Sequence, residues 1–252
     1  MDDSNFFIWF MIVMIIIAIL VFIALLKIPA GYGQHISKKW GPTINDKAGW
    51  VIMEIPTVIL YALFYITGDY QTKLMTFIFS GLWFMHYGYR TFIFPSLIRG
   101  KHKMPLTIIL FGMIFNSANA YLQGLWINKL SGGYKESWLL TPMFIIGIII
   151  FFAGFFMHMH SDHLIRNLRK PGETDFKIPH GGMFRFISCP SYLGEIIEWY
   201  GWAIMTWSLP GLVFAIWTTA NLGPRARSNH RWYREMFEDY PNNRKALIPF
   251  IY

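Results

Sequence analysis

The chain has 252 residues, of which 54% are hydrophobic and only 14% charged, and it holds 23 Phe, 13 Tyr and 11 Trp. A soluble domain carries about 25% charged residues, so a soluble globule is excluded, as is a disordered chain, which lacks aromatics and bulky aliphatics. Cys189 is the only cysteine, which rules out a disulfide framework, and the net charge of +8 must be read from where the positive residues sit.

The first apolar stretch covers residues 6–26 and ends at Lys27, Ile28 and Pro29. It has no basic leading region and no small-residue cleavage site, so the expectation is an anchored helix rather than a removed signal. Further stretches cover residues 49–66, 74–94, 104–127, 138–157, 192–207 and 209–222, with Ser208-Leu209-Pro210 as a tight turn between the last two, which are short. Apolar backbone at membrane depth must bond to itself, and these runs are continuous rather than alternating as barrel strands would be. The expected fold is therefore all-α, a polytopic membrane protein of seven transmembrane helices in a single domain, residues 1–252.

The Lys and Arg residues give an independent topology test. Of the 22, 18 fall in segments on one side, and only Lys73, Lys129 and Lys135 fall on the other, with Arg90 inside a span. This predicts a non-cytoplasmic N-terminus and a cytoplasmic C-terminus. The basic excess then belongs to membrane orientation, so membrane lipid is an expected partner and nucleic acid is not.

Ionisable groups inside spans are costly and mark candidate sites. Glu54 lies roughly 8 Å into the second span and Tyr87 roughly 10 Å from the cytoplasmic end of the third, at helical rise. His86, Tyr87 and Arg90 share one part of the third helix, while Asn116, Asn119 and Gln123 lie deeper in the fourth. Glu195 and Glu198 open the sixth span, and His158, His160 and Asp162 close the fifth. Plainer readings stand beside these: Glu198 as a complement to a helix dipole, Asn116 and Asn119 as interhelical glue, and His86 as a paired buried histidine. Trp138 and Tyr121 read as interface anchors.

No metal is expected, because His158, His160 and His163 lack the second ligand group that a zinc or di-iron centre needs. No G-x-G-x-x-G follows a strand, so a Rossmann domain is absent. The basic loops still offer an anion site: Asp162, Arg166, Arg169 and Lys170, then Arg225, Arg227, Asn229, His230, Arg231 and Tyr233. Guanidinium forks suit phosphate oxygens, with anionic lipid as the alternative partner.

Particular strings go further. Ala30-Gly31-Tyr32-Gly33, Ala48-Gly49-Trp50 with Met53-Glu54-Ile55-Pro56, and His86-Tyr87 with Arg90-Thr91-Phe92 resemble the steroid 5α-reductases. The same holds for His160-Ser161-Asp162, Leu168-Arg169-Lys170-Pro171-Gly172-Glu173, Leu193-Gly194-Glu195-Ile196-Ile197-Glu198-Trp199 and the tail from Met236 to Phe250. The resemblance covers almost the whole chain and implies a seven-helix membrane enzyme that uses NADPH to reduce the Δ4 double bond of a 3-oxosteroid. It places the carbonyl-polarising pair on Glu54 and Tyr87. It places cofactor contacts on Tyr32, His158, Asp162, Arg169, Glu195, Trp199, Arg225, Asn229 and Tyr233, mostly in the C-terminal half from about residue 138. Trp50, Met53, Phe115 and Asn119 are the candidate substrate-pocket residues.

The chain departs from the family pattern in places. Met53 stands where the family has Gln, which touches substrate identity more than reaction type. His158 and Ser191 replace Asn, Asn229 replaces His, and Phe111 stands where some relatives carry a pocket Arg. The rival reading is a membrane S-adenosylmethionine-dependent methyltransferase, which the run from Phe186 to Gly194 also resembles, though Ser188-Cys189-Pro190 replaces the Arg-His-Pro usual there. A reductase of another lipid enone or enoyl substrate, and a non-catalytic sterol-binding protein, complete the alternatives. The expected state is a monomer in the endoplasmic reticulum of a eukaryote or the inner membrane of a bacterium.

Overall fold

In the computed structural model, which describes residues 3–100, 102–168, 173 and 175–252, helices dominate and the chain divides into two units. One consists of Ala30–Thr141, the other of Met1–Pro29 with Pro142–Tyr252.

The Ala30–Thr141 unit is built on α2 (Asp46–Thr67), α3 (Leu74–Gly88), a short α4 (Phe94–Leu97) and α5 (Leu106–Leu125). Two short antiparallel strands, β1 (Thr43–Asn45) and β2 (Lys103–Pro105), align the starts of α2 and α5, pairing Ile44 with Met104. The Asn45 side chain caps α2 by accepting from the backbone N–H groups of Lys47 and Ala48. α2 and α5 then run in close contact, because Gly49, Gly112 and Gly124 leave room for Met104, Met53 and Phe64. A Cβ on Gly112 would sit 2.2 Å from Met53 Cγ.

The third apolar stretch is not one regular helix. A π-helical turn, Tyr89–Ile93, separates α3 from α4. Pro95 explains it: it has no N–H for the carbonyl of Thr91 and its ring needs space there, and the wider turn supplies that space. A second π turn, Trp126–Leu130, extends α5, where the Asn128 side chain donates to the Gly124 carbonyl at 2.8 Å and intrudes on the ladder.

In the other unit, α1 (Asp3–Lys27) is apolar on all sides. Among its described side chains only Phe7, Met11, Met14 and Ala18, one helical stripe, are buried, and this helix packs on α8 (Leu209–Met236). The Trp217 indole donates to the Met14 carbonyl at 2.6 Å. The remaining apolar surface of α1, including Ile8, Trp9, Ile16 and Leu20, is exposed, which suits hydrocarbon rather than water.

α6 (Pro142–Asn167) and α7 (Pro190–Thr206) approach backbone to backbone. Gly147 and Gly154 on α6, and Gly194 and Gly201 on α7, repeat every seven residues. A Cβ on Gly154 would lie 2.3 Å from the backbone nitrogen of Glu198, and one on Gly201 equally close to that of Phe151. Small residues at this spacing allow the dense packing by which membrane helices associate. Trp207, with φ 42°, then turns the chain, and Ser208 caps α8 by accepting from Gly211 N–H at 3.1 Å. The tail returns to the foot of α7, where Lys245 N–H donates to the Phe186 carbonyl and Ser188 N–H to that of Lys245.

Among the described residues four helices are long and apolar enough to cross a membrane: Asn5–Lys27, Asp46–Thr67, Leu106–Leu130 and Pro142–Asn167. The other three expected spans differ for identifiable reasons. The stretch that begins with α3 is made too polar by His86, Tyr87, Tyr89 and Arg90, α7 has 17 residues where a bilayer core takes about 20, and α8 turns polar beyond Leu222 and contains Pro224.

Candidate active site

In the Ala30–Thr141 unit, polar groups otherwise costly at membrane depth converge from three helices. Glu54 on α2 is 7% exposed and Tyr87 on α3 is 3% exposed. Asn116 on α5 donates through Nδ2 to Glu54 Oε2 at 3.0 Å and to the Met53 carbonyl at 2.8 Å. One turn further along α5, Asn119 donates to the Tyr87 hydroxyl at 3.3 Å, and Gln123 donates to Asn119 Oδ1 at 3.3 Å. All three amide side chains are buried.

Arg90 completes the group from within the π turn, its Nε lying 3.8 Å from Glu54 Oε1. Its guanidinium lies over the Trp50 ring at 4.4 Å and the Phe94 ring at 4.9 Å. Such turns recur at functional sites because they re-aim side chains. Tyr32 meets Trp50 edge-on at 6.2 Å. The Tyr87 ring rests on Trp83 at 4.6 Å, and Trp83 stacks on Tyr61 at 4.8 Å, with His86 edge-on to Tyr87. Met53 is buried with Met104 and Ile109. Phe115 is half-buried on α5, and Phe111 is 58% exposed.

The other unit gathers most of the expected cofactor residues. Where α6 and α7 touch, His158 lies between two carboxylates, with Nε2 3.2 Å from Asp162 Oδ2 and Nδ1 3.8 Å from Glu198 Oε2. Ser191 donates to Asp162 Oδ1 at 2.8 Å. Glu195 is half-buried on α7, while Trp199 is buried among Phe151, Trp202 and Phe214. Arg225 on α8 donates to Asn221 and to the Tyr192 hydroxyl at 3.0 Å, and Asn229 donates to the same hydroxyl at 3.3 Å. Because α8 continues to Met236, Arg225, Asn229 and Tyr233 recur every fourth residue on one helical face. Tyr233 stacks on Tyr240 at 5.3 Å. Arg169 lies outside the described residues.

A half-buried guanidinium, a phenol, two carboxylates and a carboxamide form a donor and acceptor set that fits phosphate oxygens and ribose hydroxyls. Sequence reasoning had not singled out Tyr192. A tyrosine at the edge of an apolar stretch reads as an interface anchor, and only its contacts with Arg225 and Asn229 distinguish it.

A family model described as 3-oxo-5-alpha-steroid 4-dehydrogenase matches residues 102–252. The chain belongs to the 3-oxo-5-alpha-steroid 4-dehydrogenase family. It is 38% identical over 256 residues to steroid 5-alpha-reductase DET2 of Gossypium hirsutum, covering 100% of this chain and 99% of that one. To 3-oxo-5-alpha-steroid 4-dehydrogenase 1 of Mus musculus it is 38% identical over 237 residues, 93% of this chain and 92% of the relative. The corresponding human protein is 37% identical over 224 residues, 88% of this chain and 86% of the relative. In this member of the 3-oxo-5-alpha-steroid 4-dehydrogenase family, the family match includes Asn116 and Asn119, whereas Glu54 and Tyr87 precede it and lie within the full-length similarity to the cotton relative.

Proposed function

We propose that this chain is an NADPH-dependent oxidoreductase that reduces the Δ4 double bond of 3-oxosteroids to 5α-dihydro-3-oxosteroids. It would do so as a single reductase domain of seven transmembrane helices, with its N-terminus outside and its C-terminus in the cytoplasm. The observation that carries the reading is the buried pair Glu54 and Tyr87, each tied to an amide of α5, with Arg90 beside the carboxyl. An enone ketone needs such a corner. When its β-carbon is reduced, negative charge develops on the carbonyl oxygen, and preorganised donors in a dry site stabilise it most.

The Tyr87 hydroxyl and the Glu54 carboxyl would grip the ketone, and the Arg90 guanidinium would add positive charge near the same oxygen. Trp50 and Phe94 hold that guanidinium in place, so little reorganisation is needed as charge builds. Asp162, Glu195, Arg225, Asn229, Tyr233 and, from sequence, Arg169 would hold NADPH, which supplies the hydride when bound. Solvent delivers the proton to the enolate α-carbon, which balances the two-electron reduction.

Purified protein given NADPH and a Δ4-3-oxosteroid should consume both and yield the 5α-dihydro product. Glu54→Ala and Tyr87→Phe should each lower kcat by about 100-fold or more, the usual cost of removing one oxyanion donor, while NADPH still binds. Undiminished turnover in both variants would refute the assignment of the donors. Binding of S-adenosylmethionine in place of NADPH would favour a methyltransferase.

A further inference from the structure

One hydroxyl joins the foot of α7, the end of α8 and the C-terminal tail. Ser188 Oγ lies 2.6 Å from His230 Nδ1 on α8, 2.6 Å from the Tyr240 hydroxyl and 3.2 Å from the Lys245 carbonyl. Ser188 and Tyr240 are both buried. Counting protons fixes the direction of one of these bonds. Ser188 has a single hydrogen and two lone pairs, and the carbonyl can only accept. Whether that hydrogen goes to His230 or to Lys245, the Tyr240 O–H donates to Ser188. The reverse direction would leave the buried phenolic hydrogen with no acceptor among the described residues, which is costly.

What this bond holds is the Tyr240 ring. The buried Arg244 guanidinium lies over that ring at 5.2 Å, and Tyr233 stacks on it almost parallel, at 5.3 Å and 12°. Two other rings that meet Tyr233, those of Trp232 and Phe237, belong to α8 and its C-terminal cap and so move with it. Tyr240 differs, because Ser188 ties it to α7. Tyr233 shares a helical face with Arg225 and Asn229, which reach α7 through the Tyr192 hydroxyl. Tyr240 and Ser188 carry that attachment one turn further along α8. We propose that Tyr240, clamped by Ser188, is a positioning residue for the cofactor: it fixes the Tyr233 ring relative to α7 and so keeps this face of α8 in the shape that binds NADPH. The consequence for the cofactor rests on the reductase reading, whereas the packing of the two rings does not.

Binding is the first test. NADPH affinity, titrated on the purified protein by tryptophan fluorescence, should fall about tenfold in Tyr240→Leu, the scale of one lost aromatic pair. Ser188→Ala should weaken NADPH too, because it strands the Tyr240 hydrogen. Adding Tyr240→Phe to that variant should restore most of the affinity, since the ring remains and no hydrogen is stranded. Losses that add in this double variant would overturn the proposal. So would a further loss from Tyr240→Leu in a Tyr233→Ala background, where no ring is left to position. The second test needs no cofactor. A fluorotyrosine incorporated in place of Tyr233 should give a fluorine resonance that moves in Tyr240→Leu and in Ser188→Ala, and that returns when Tyr240→Phe is added to the latter. A resonance that Tyr240→Leu leaves in place would show that Tyr240 does not set the Tyr233 ring. If the leucine variant does not fold, Ser188→Ala and its double variant serve for both tests. A wild-type protein that binds no NADPH would sink the reductase reading and the cofactor role together, while the fluorine resonance would still decide the packing.

Discussion

Arg225 is held by Asn221 and Tyr192, with its guanidinium 5.0 Å above the Tyr192 ring, so its fork is already aimed before any ligand arrives. Lysine cannot reproduce this: an ammonium is a point charge without a planar fork, and it stacks less well. Both Arg225→Ala and Arg225→Lys should therefore weaken NADPH. The expected loss is about tenfold or more, since a hydrogen bond to a charged group is worth about 1.5–3 kcal/mol. Steroid affinity should change little, as read by titrating each ligand against intrinsic tryptophan fluorescence. Equal loss of both ligands would mean that Arg225 supports the fold rather than the cofactor. The individual residues of the site were unequally legible. Glu54 and Tyr87 stand out in the sequence because charge and phenol inside apolar runs are costly. Tyr192 and the pairing of Asn116 with Glu54 do not, because each depends on a contact across more than thirty residues of chain.

At the scale of elements, the seven apolar stretches correspond to helices near their expected positions, because long apolar runs leave the backbone little else to do. Hydropathy carries no sign of the π turn at Tyr89–Ile93, since a π turn and an α turn bury the same residue types, and Pro95 was its only trace. The continuation of α8 through Arg225 to Met236 was equally hidden, as its last turns are polar. The glycine repeats of α6 and α7 are visible in the sequence but acquire meaning only once paired. A methyl on Gly154 would collide with backbone atoms of Glu198 and Gly194, which cannot rotate away. Gly154→Ala should thus destabilise by about 1–3 kcal/mol, the usual cost of overpacking, and lower the thermal unfolding midpoint in detergent. Gly81 on α3 is the control, since a Cβ there meets nothing within 4 Å. Gly81→Ala should be neutral or slightly stabilising through the unfolded chain. Equal effects at the two glycines would argue against close packing of α6 on α7.

For the molecule as a whole, the distribution of basic residues makes the strongest claim, and a single thiol makes it measurable. Cys189 is buried at the foot of α7, and burial pushes its thiol up to about 12, against a smaller opposing effect of the Asn229 amide. At neutral pH it therefore stays protonated, and only a thiolate reacts with a maleimide, so the wild-type protein should remain unlabelled while folded. New cysteines then report their own side of the membrane without background. Lys135, Lys38 and Arg234 are all exposed, and the charge pattern assigns Lys135 to one side and the other two to the opposite one. In sealed cells or right-side-out vesicles, Lys135→Cys should react with a membrane-impermeant maleimide, while Lys38→Cys and Arg234→Cys should react only after permeabilisation. Labelling of Lys38→Cys and Lys135→Cys from the same face would require an even number of crossings between residues 38 and 135. That outcome would remove the seven-span topology, and with it the shared depth that first linked Glu54 to Tyr87.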